Sequence, residues 1–350
     1  MSSFPSLDIR AGSRALAHLR ERGVAPADVR CIPAAAGGPK GLALLPLDRR
    51  LHDAGYAARD VRLVGASIGA WRMTALASPD APAAIDRLRR AYVRDQNYRE
   101  RPSPREVSDV IRGVVRTLLD GKAPQVRAGV ALEVLTARAR GPLAGRASKA
   151  AFARAALDNA LARPRLARHL HRVVFVAGAT SAPDPFDAFG ALHVPLDERN
   201  AEDALLASGS IPLVCTPVRD IAGAPPGDYW DGGLIDYHLL LPYASAPGVV
   251  LYPHFAAHVT PGWLDKFLPW RRAPRAHGWL ANVLLIAPSP AFLGRLPNGK
   301  LPDRNDFYRY GADHAGRIRD WEHAIAECER FADEAMRFLE APDAGRVRPL

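Results

Sequence analysis

The sequence predicts an α/β protein, a three-layer sandwich in which helices flank a mainly parallel central sheet. Three observations carry this. Between Arg30 and Leu76, strand-sized apolar runs alternate with helical spacing in the order strand, helix, strand, helix, and strands joined by helices run parallel. Val173 to Ala177 is a continuous apolar run, as a strand buried on both faces requires. Trp321, Ile325, Cys328, Phe331 and Phe338 lie at helical spacing, giving a long amphipathic helix to cover the core.

In chain order, Ser13 to Arg22 predicts a helix with Leu16 and Leu19 on one side and Gly23 as its stop. A strand at about Arg30 to Pro33 enters the glycine-rich turn from Ala35 to Gly41, which opens onto a helix from Leu42 to Asp53 ended by Gly55. The strand Val61 to Val64 leads into Ser67 and a helix toward Leu76, broken by Ser78-Pro79. Ser103-Pro104-Arg105-Glu106 has the form of a capping box. Val107, Val110, Ile111, Val114 and Leu118 continue it as a helix that Gly121 closes. Val130 to Ala137 predicts a strand and Ser148 to Leu161 a helix.

The stretch Arg163 to Arg172 concentrates Arg163, Arg165, Arg168, His169, His171 and Arg172, and reads as a solvated helix end, with contact to an anionic surface as the alternative. Ala201 to Ser208 is helical and breaks at Gly209-Ser210-Ile211-Pro212; Pro225-Pro226-Gly227 turns the chain before Tyr229-Trp230-Asp231-Gly232-Gly233. Val249 to Tyr252 and Asn282 to Ile286 predict further strands. Between them, Thr260 to His277 has the proline, tryptophan and arginine content of a lid or a long loop. No repeat or linker divides the chain. The expectation is one domain over 1–350, with a motif-bearing core at about 25–245 and a C-terminal part, 246–350, without motifs.

The 350 residues carry a formal charge of +10 and 48% hydrophobic residues, ordinary for a folded protein with a large core. The positive excess is thinly spread over alanine-rich helices and lacks interleaved aromatic residues, so nucleic acid is not an expected partner; peripheral contact with an anionic membrane remains compatible with it. Cys31, Cys215 and Cys328 are far apart and lack C-x-x-C spacing. That argues against a disulfide framework or structural zinc, and for a reducing compartment. Without an apolar leader at Met1 to Arg10 or a membrane-length apolar run, the expected location is cytoplasmic.

The chemistry centres on Val64-Gly65-Ala66-Ser67-Ile68-Gly69. The G-x-S-x-G pattern suits a strand that reverses sharply into a helix and leaves a serine hydroxyl at the turn, where helix N–H groups favour developing negative charge. A serine needs a base to take its proton and donors for the oxyanion. Gly37, Gly38 and Gly41 can supply unhindered N–H groups, with a loop-anchoring salt bridge the plain role for Lys40, and Asp231 is a carboxylate followed by two glycines. Asp228 and Asp236 lack that double glycine. A histidine base drawn from His238, His254, His258 or His277, with Asp231 or Asp236 as the acid, is the competing arrangement. His254 and His258, four apart, could share a helix face, but without an H-E-x-x-H glutamate no metal is expected. Gly37 to Gly41 is not a Walker A loop, because glycine follows Lys40.

Taken in order, the G-G-P-K-G turn, V-G-A-S-I-G, A-S-G-S-I-P and D-G-G resemble the patatin-like phospholipase family over roughly Cys31 to Pro242. The resemblance implies a Ser67–Asp231 catalytic dyad, with Gly37, Gly38 and Gly41 at the oxyanion hole. It also implies an acyl-enzyme, a lipid ester substrate and no cofactor. Ala36, where many members have glycine, and the late Pro242 depart from the pattern. A catalytically silent lipid-binding protein of the same fold is the alternative of another class. With an unperturbed aspartate as base, activity would persist to lower pH than with a histidine, unless burial raises the carboxyl pKa.

Overall fold

The computed structural model describes residues 5–350 apart from 123, 145–147, 179–186, 188, 246 and 274–276; the last three belong to the expected lid or loop, and Met1 to Phe4 of the leader reading also lie outside the described residues. The strands are β1 (Leu7–Ala11), β2 (Val29–Ala34), β3 (Val61–Ala66), β4 (Val130–Ala139), β5 (Leu170–Gly178), β6 (Leu192–Pro195), β7 (Val218–Arg219), β8 (Asp228–Asp231), β9 (Val249–Pro253), β10 (Val283–Pro288) and β11 (Arg348–Pro349). Among the described residues they join in one sheet of order β11-β1-β10-β9-β2-β3-β4-β5-β6, with β8 paired to both β4 and β7.

The centre of that sheet, β10, β9, β2, β3 and β4, is parallel throughout. Antiparallel pairing enters at its flanks, where β1 meets β10 and β5 meets β4. Residues 249–288 and the C-terminal strand complete the same sheet as the motif-bearing part.

Helices flank the sheet: α1 (Ser13–Arg22), α2 (Leu45–Asp53), α3 (Ile68–Ala77), α4 (Ala81–Arg94), α5 (Pro104–Leu119), α6 (Lys149–Leu161), α7 (Ala201–Ser208), α8 (Pro290–Leu293), α9 (Asn305–Tyr310) and α10 (His314–Glu340). All ten residues of α3 are buried, which explains why this helix is apolar all round rather than striped. The helix expected from Leu42 begins at Leu45, because the glycine turn winds first through a 3-10 segment, Gly38–Leu44. At α5 the capping box is half made. Ser103 Oγ accepts from the Glu106 N–H at 3.2 Å, whereas the Glu106 carboxylate pairs with Arg99. Two left-handed residues end α5, Asp120 at φ 54° and the expected Gly121 at φ 66°. The long helix α10 holds the start of the chain: buried Glu334 accepts from Ser6 N–H and Oγ–H at 2.7 and 2.9 Å. None of the described helices is long and apolar enough to cross a membrane.

The basic stretch 163–172 is corrected by the structure. It is a short 3-10 turn, Arg163–Arg168, running into β5, and several of its charges point inward. Arg163 donates to Asp265 and to the Ile235 carbonyl, each at 2.6 Å. Arg172 is buried and grips Asp236 through two bonds of 2.6 and 2.7 Å, with Asp187 at 3.1 Å. His169 sits at 2.6 Å from Asp158. Because Asp236 follows closely on Asp231, this pairing fixes the loop that carries the D-G-G motif.

Arg172→Ala is therefore expected to lower stability by about 3–5 kcal/mol, since a buried carboxylate is left without its cation. Denaturant unfolding measures it, and adding Asp236→Asn should restore part of the loss; no loss in the single variant would show that the pair does not hold this loop.

Candidate active site

Strand β3 ends directly below Ser67, whose φ of 57° and ψ of −132° are rare for a residue with a side chain and match the first central position of a type II′ turn. The turn closes only because the chains approach at van der Waals limits: a Cβ on Gly69 would stand 1.9 Å from the Ala34 carbonyl oxygen. The Ser67 N–H donates to Ser208 Oγ at 2.9 Å, and that hydroxyl donates to the Leu135 carbonyl at 2.7 Å. Ser208, at the end of α7, thus braces the turn against β4. Below it, Arg72 of α3 and Asp48 of α2 form a fully buried two-bond pair at 2.7 and 2.8 Å.

The glycine loop follows β2 and lies beside this turn. Gly38 has φ +56°, a left-handed conformation that glycine adopts without penalty. The Ala36 N–H donates to the Tyr237 carbonyl at 2.9 Å, tying the loop to the segment after Asp231. The Ala36 methyl fits there because residue 233 is glycine; a Cβ on Gly233 would come within 2.7 Å of it. Gly41 is set apart from the other two glycines, inside the 3-10 turn and facing Ile68 and Arg72. Lys40 has no carboxylate at ion-pair distance among the described residues; its ammonium stands 5.3 Å from the Phe255 ring centroid.

Asp231 ends β8, opposite Thr136 of β4, with its N–H on the Ser210 carbonyl at 2.9 Å. Its carboxylate accepts the Gly233 N–H at 2.7 Å. Ser67 and Asp231 are only 6% and 7% exposed. Burial pushes the Asp231 carboxyl up to about 7, opposed by the Ser67 hydroxyl, the Gly233 amide and the Arg304 charge. This is the case the sequence expectation set aside, in which burial raises the carboxyl and activity at lower pH no longer follows.

Two cavities meet at Ser67. One, of about 320 Å³, contains Gly37, Gly38, Lys40, Asp231, Lys266 and Arg304. The other, of about 380 Å³, runs between Trp71, Tyr92, Tyr98, Val107, Ile111 and Phe307. Gly38, Ser67, Ile211, Arg304 and Tyr308 belong to both. Gly41 does not line either among the described residues. Of the residues expected from the sequence, Ser67, Asp231, Gly37 and Gly38 come together at the first cavity, whereas Lys266, Arg304 and Tyr308, which also line it, and Ser208 were not singled out. Only Ser208, as part of A-S-G-S-I-P, lay in a motif.

The other candidate acids are engaged: Asp228 accepts from Arg219 at 2.9 Å and Asp236 is held by Arg172. Of the histidines, His238, His254, His258 and His277 line neither cavity among the described residues. His254 and His258 share no helix face; they lie in the loop after β9, their rings gathered around His238. His238 Nδ1 accepts from Thr260 N–H at 3.1 Å and His254 Nδ1 from Ala256 N–H at 2.8 Å. Burial drives His254 down to about 3 and His238 well below its usual value. His258 and His277 are also lowered by burial. Among the described residues no three His, Cys, Asp or Glu converge as a metal site.

A mostly parallel sheet flanked by helices, with a strained serine on the strand-to-helix turn, defines an α/β protein of the serine-elbow class. The model of the patatin-like phospholipase family matches residues 35–241, more than half of the chain, and the chain belongs to that family of lipid acyl hydrolases. Comparison with curated proteins returns no match.

Proposed function

We propose that the protein hydrolyses a carboxylic ester of a lipid through a Ser67–Asp231 dyad. The observation that carries this reading is Ser67 where the two cavities join, with the Asp231 carboxylate lining one of them and in hydrogen-bond contact with the Ser67 hydroxyl. Ser67 Oγ attacks the carbonyl carbon while its proton passes to the Asp231 carboxylate. The tetrahedral oxyanion is received by the N–H groups of Gly37 and Gly38, and Gly41 serves by packing the loop onto Ile68. Collapse breaks the bond to the alcohol, which leaves with the proton from Asp231. Water then attacks the acyl-enzyme, gives its proton to Asp231, and the fatty acid departs as Ser67 regains a proton. A carboxyl tuned to about 7 is well matched to taking and returning a proton near neutral pH.

The apolar cavity suits the acyl chain. Trp71, Val107, Ile111 and Phe307 give it the apolar wall that such a chain packs against. Phe267 and Trp270, 64% and 73% exposed, stand beside Lys266, Arg271 and Arg272, a combination that suits contact with an anionic lipid surface. A cytoplasmic location remains part of this reading.

A fluorophosphonate probe tests it. Labelling should map to Ser67 and survive single replacement of His238, His254, His258 or His277 by Gln. A correctly folded histidine variant that loses labelling as fully as Ser67→Ala would replace the dyad with a triad.

A further inference from the structure

Resting on that reading, we propose that the polar cavity beside Ser67 is an anion subsite. In it Lys40, Lys266 and Arg304 receive a phosphate monoester carried on the alcohol side of the scissile ester, so that the enzyme selects anionic acyl-glycerols over choline-bearing ones. The three cations come from separate segments: the loop after β2, the 3-10 turn Trp263–Phe267 and the residue preceding α9. All three line one cavity with Ser67. Among the described residues no carboxylate lies at ion-pair distance from any of them, although the protein pairs most of its interior arginines closely, as at Arg72 and Arg172. Asp303, the other carboxylate at the cavity besides Asp231, is already held by Lys300 at 3.0 Å and by the Asn305 N–H at 2.9 Å.

Like charges gathered without a counter-ion raise one another's energy, and an anion placed among them relieves it. Burial, followed by the charges of Lys40 and Arg304, lowers the Lys266 ammonium from its ordinary pKa; burial also lowers Lys40. A phosphate fits this set better than a carboxylate, because its several oxygens can meet the planar guanidinium fork and two ammonium point charges together.

The aromatic residues of the same cavity decide against choline. Trp263, Tyr237 and Tyr308 line it, and aromatic faces could hold a quaternary ammonium. Lys266 already covers Trp263 and Phe267, at 4.6 and 4.8 Å from their centroids, and Lys40 stands over Phe255. An incoming choline would meet three like charges, with the Trp263 face already covered. With the acyl chain in the apolar cavity, the ester carbonyl falls at Ser67 and the alcohol side falls among the cations.

The test compares 1-acyl-glycerol 3-phosphate with the phosphocholine analogue of the same chain. The wild type is expected to favour the phosphate monoester in kcat/KM by about tenfold or more, and Lys266→Gln/Arg304→Gln to bring the ratio close to unity, whatever change common to both substrates follows from removing the Arg304 charge near Asp231. Lys266→Arg, which keeps the charge, should retain the preference. A wild-type ratio near one, or a ratio unchanged in the double variant, overturns the subsite.

Calorimetric titration of the full chain with glycerol 3-phosphate separates this outcome from failure of the hydrolase reading, because it requires no turnover. Saturable binding weakened by about tenfold in the double variant is expected; absence of binding overturns the subsite even in an active enzyme. Inorganic phosphate binding as tightly as glycerol 3-phosphate would assign the cations to free phosphate and overturn the head-group assignment.

Discussion

Ser67→Ala is expected to lower acyl-ester turnover by about four to six orders of magnitude, the scale on which loss of a serine nucleophile is felt when a base and oxyanion donors remain. Stability should change little, because the hydroxyl sits at a turn and the backbone bond to Ser208 is retained. A second substitution separates chemistry from backbone strain. At φ 57° and ψ −132° a Cβ is disfavoured whether it belongs to serine or alanine, so Ser67→Gly should be as inactive as Ser67→Ala yet more stable by about 1–2 kcal/mol. Steady-state hydrolysis of a short-chain p-nitrophenyl ester, with thermal unfolding alongside, measures both. Near-normal turnover in either variant would remove Ser67 from the mechanism.

Asp231→Asn is expected to be almost as inactive, because in a dyad the carboxylate itself accepts the proton and an amide cannot. Its effect on stability has the opposite sign. The Asp231 carboxyl is raised from 3.8 to about 7 in the folded state, so between those values the native protein binds more protons than the unfolded chain and stability falls as pH rises. A difference of about three units corresponds to about 4 kcal/mol at most. The asparagine variant escapes this penalty. It should match the wild type near pH 4 and exceed it increasingly toward pH 8, a trend that denaturant unfolding across pH will measure; a wild type that gains stability over this range would contradict the raised value.

Activity follows the same titration from the other side. The wild type should lose kcat/KM as pH falls through about 7, since only the ionised carboxylate accepts the proton. The acid limb also reverses the sequence-based criterion. An ordinary aspartate would act at lower pH than a histidine, but here burial has lifted the aspartate and lowered the histidines. A limb near 7 therefore points to Asp231, and a limb well below 6 to a histidine.

What the sequence made legible was short-range. The helix Ala201–Ser208 and the helix Ser13–Arg22 agree in both ends with the structure, because their stops are glycines next to an apolar stripe. Ser67, Asp231 and the loop at Gly37 stood out as candidates for the same reason: each sits in a turn whose backbone demands glycine within a few positions. Strand β1 and helix α4 were missed. A five-residue strand has too little alternation to stand out, and α4 begins in Ala81-Pro82, which resembles a continuation of the break at Ser78-Pro79.

The basic stretch 163–172 was misread for a different reason. Arg163 and Arg172 find their partners at Ile235, Asp236 and Asp265, and pairing across such distances leaves no local signal. Arg304, Tyr308 and Lys266 escaped likewise, since the C-terminal half meets the cavity only once the sheet has closed.

The placement of β1 has a bearing on biosynthesis. This strand pairs with β10 on one side and β11 on the other, so residues 7–11 reach their partners only after residues 283–288 and 348–349 have been translated. The parallel pair β2–β3, with α3 crossing it, can assemble much earlier, from neighbours in the chain. During synthesis β1 is therefore an unpaired strand held waiting while most of the protein emerges, the kind of segment that chaperones cover. Its final capture by Glu334 through Ser6 makes the last long helix the latch of the whole assembly. Ribosome-bound chains stopped before residue 283 should display residues 7–11 to proteases, and full-length chains should shield them.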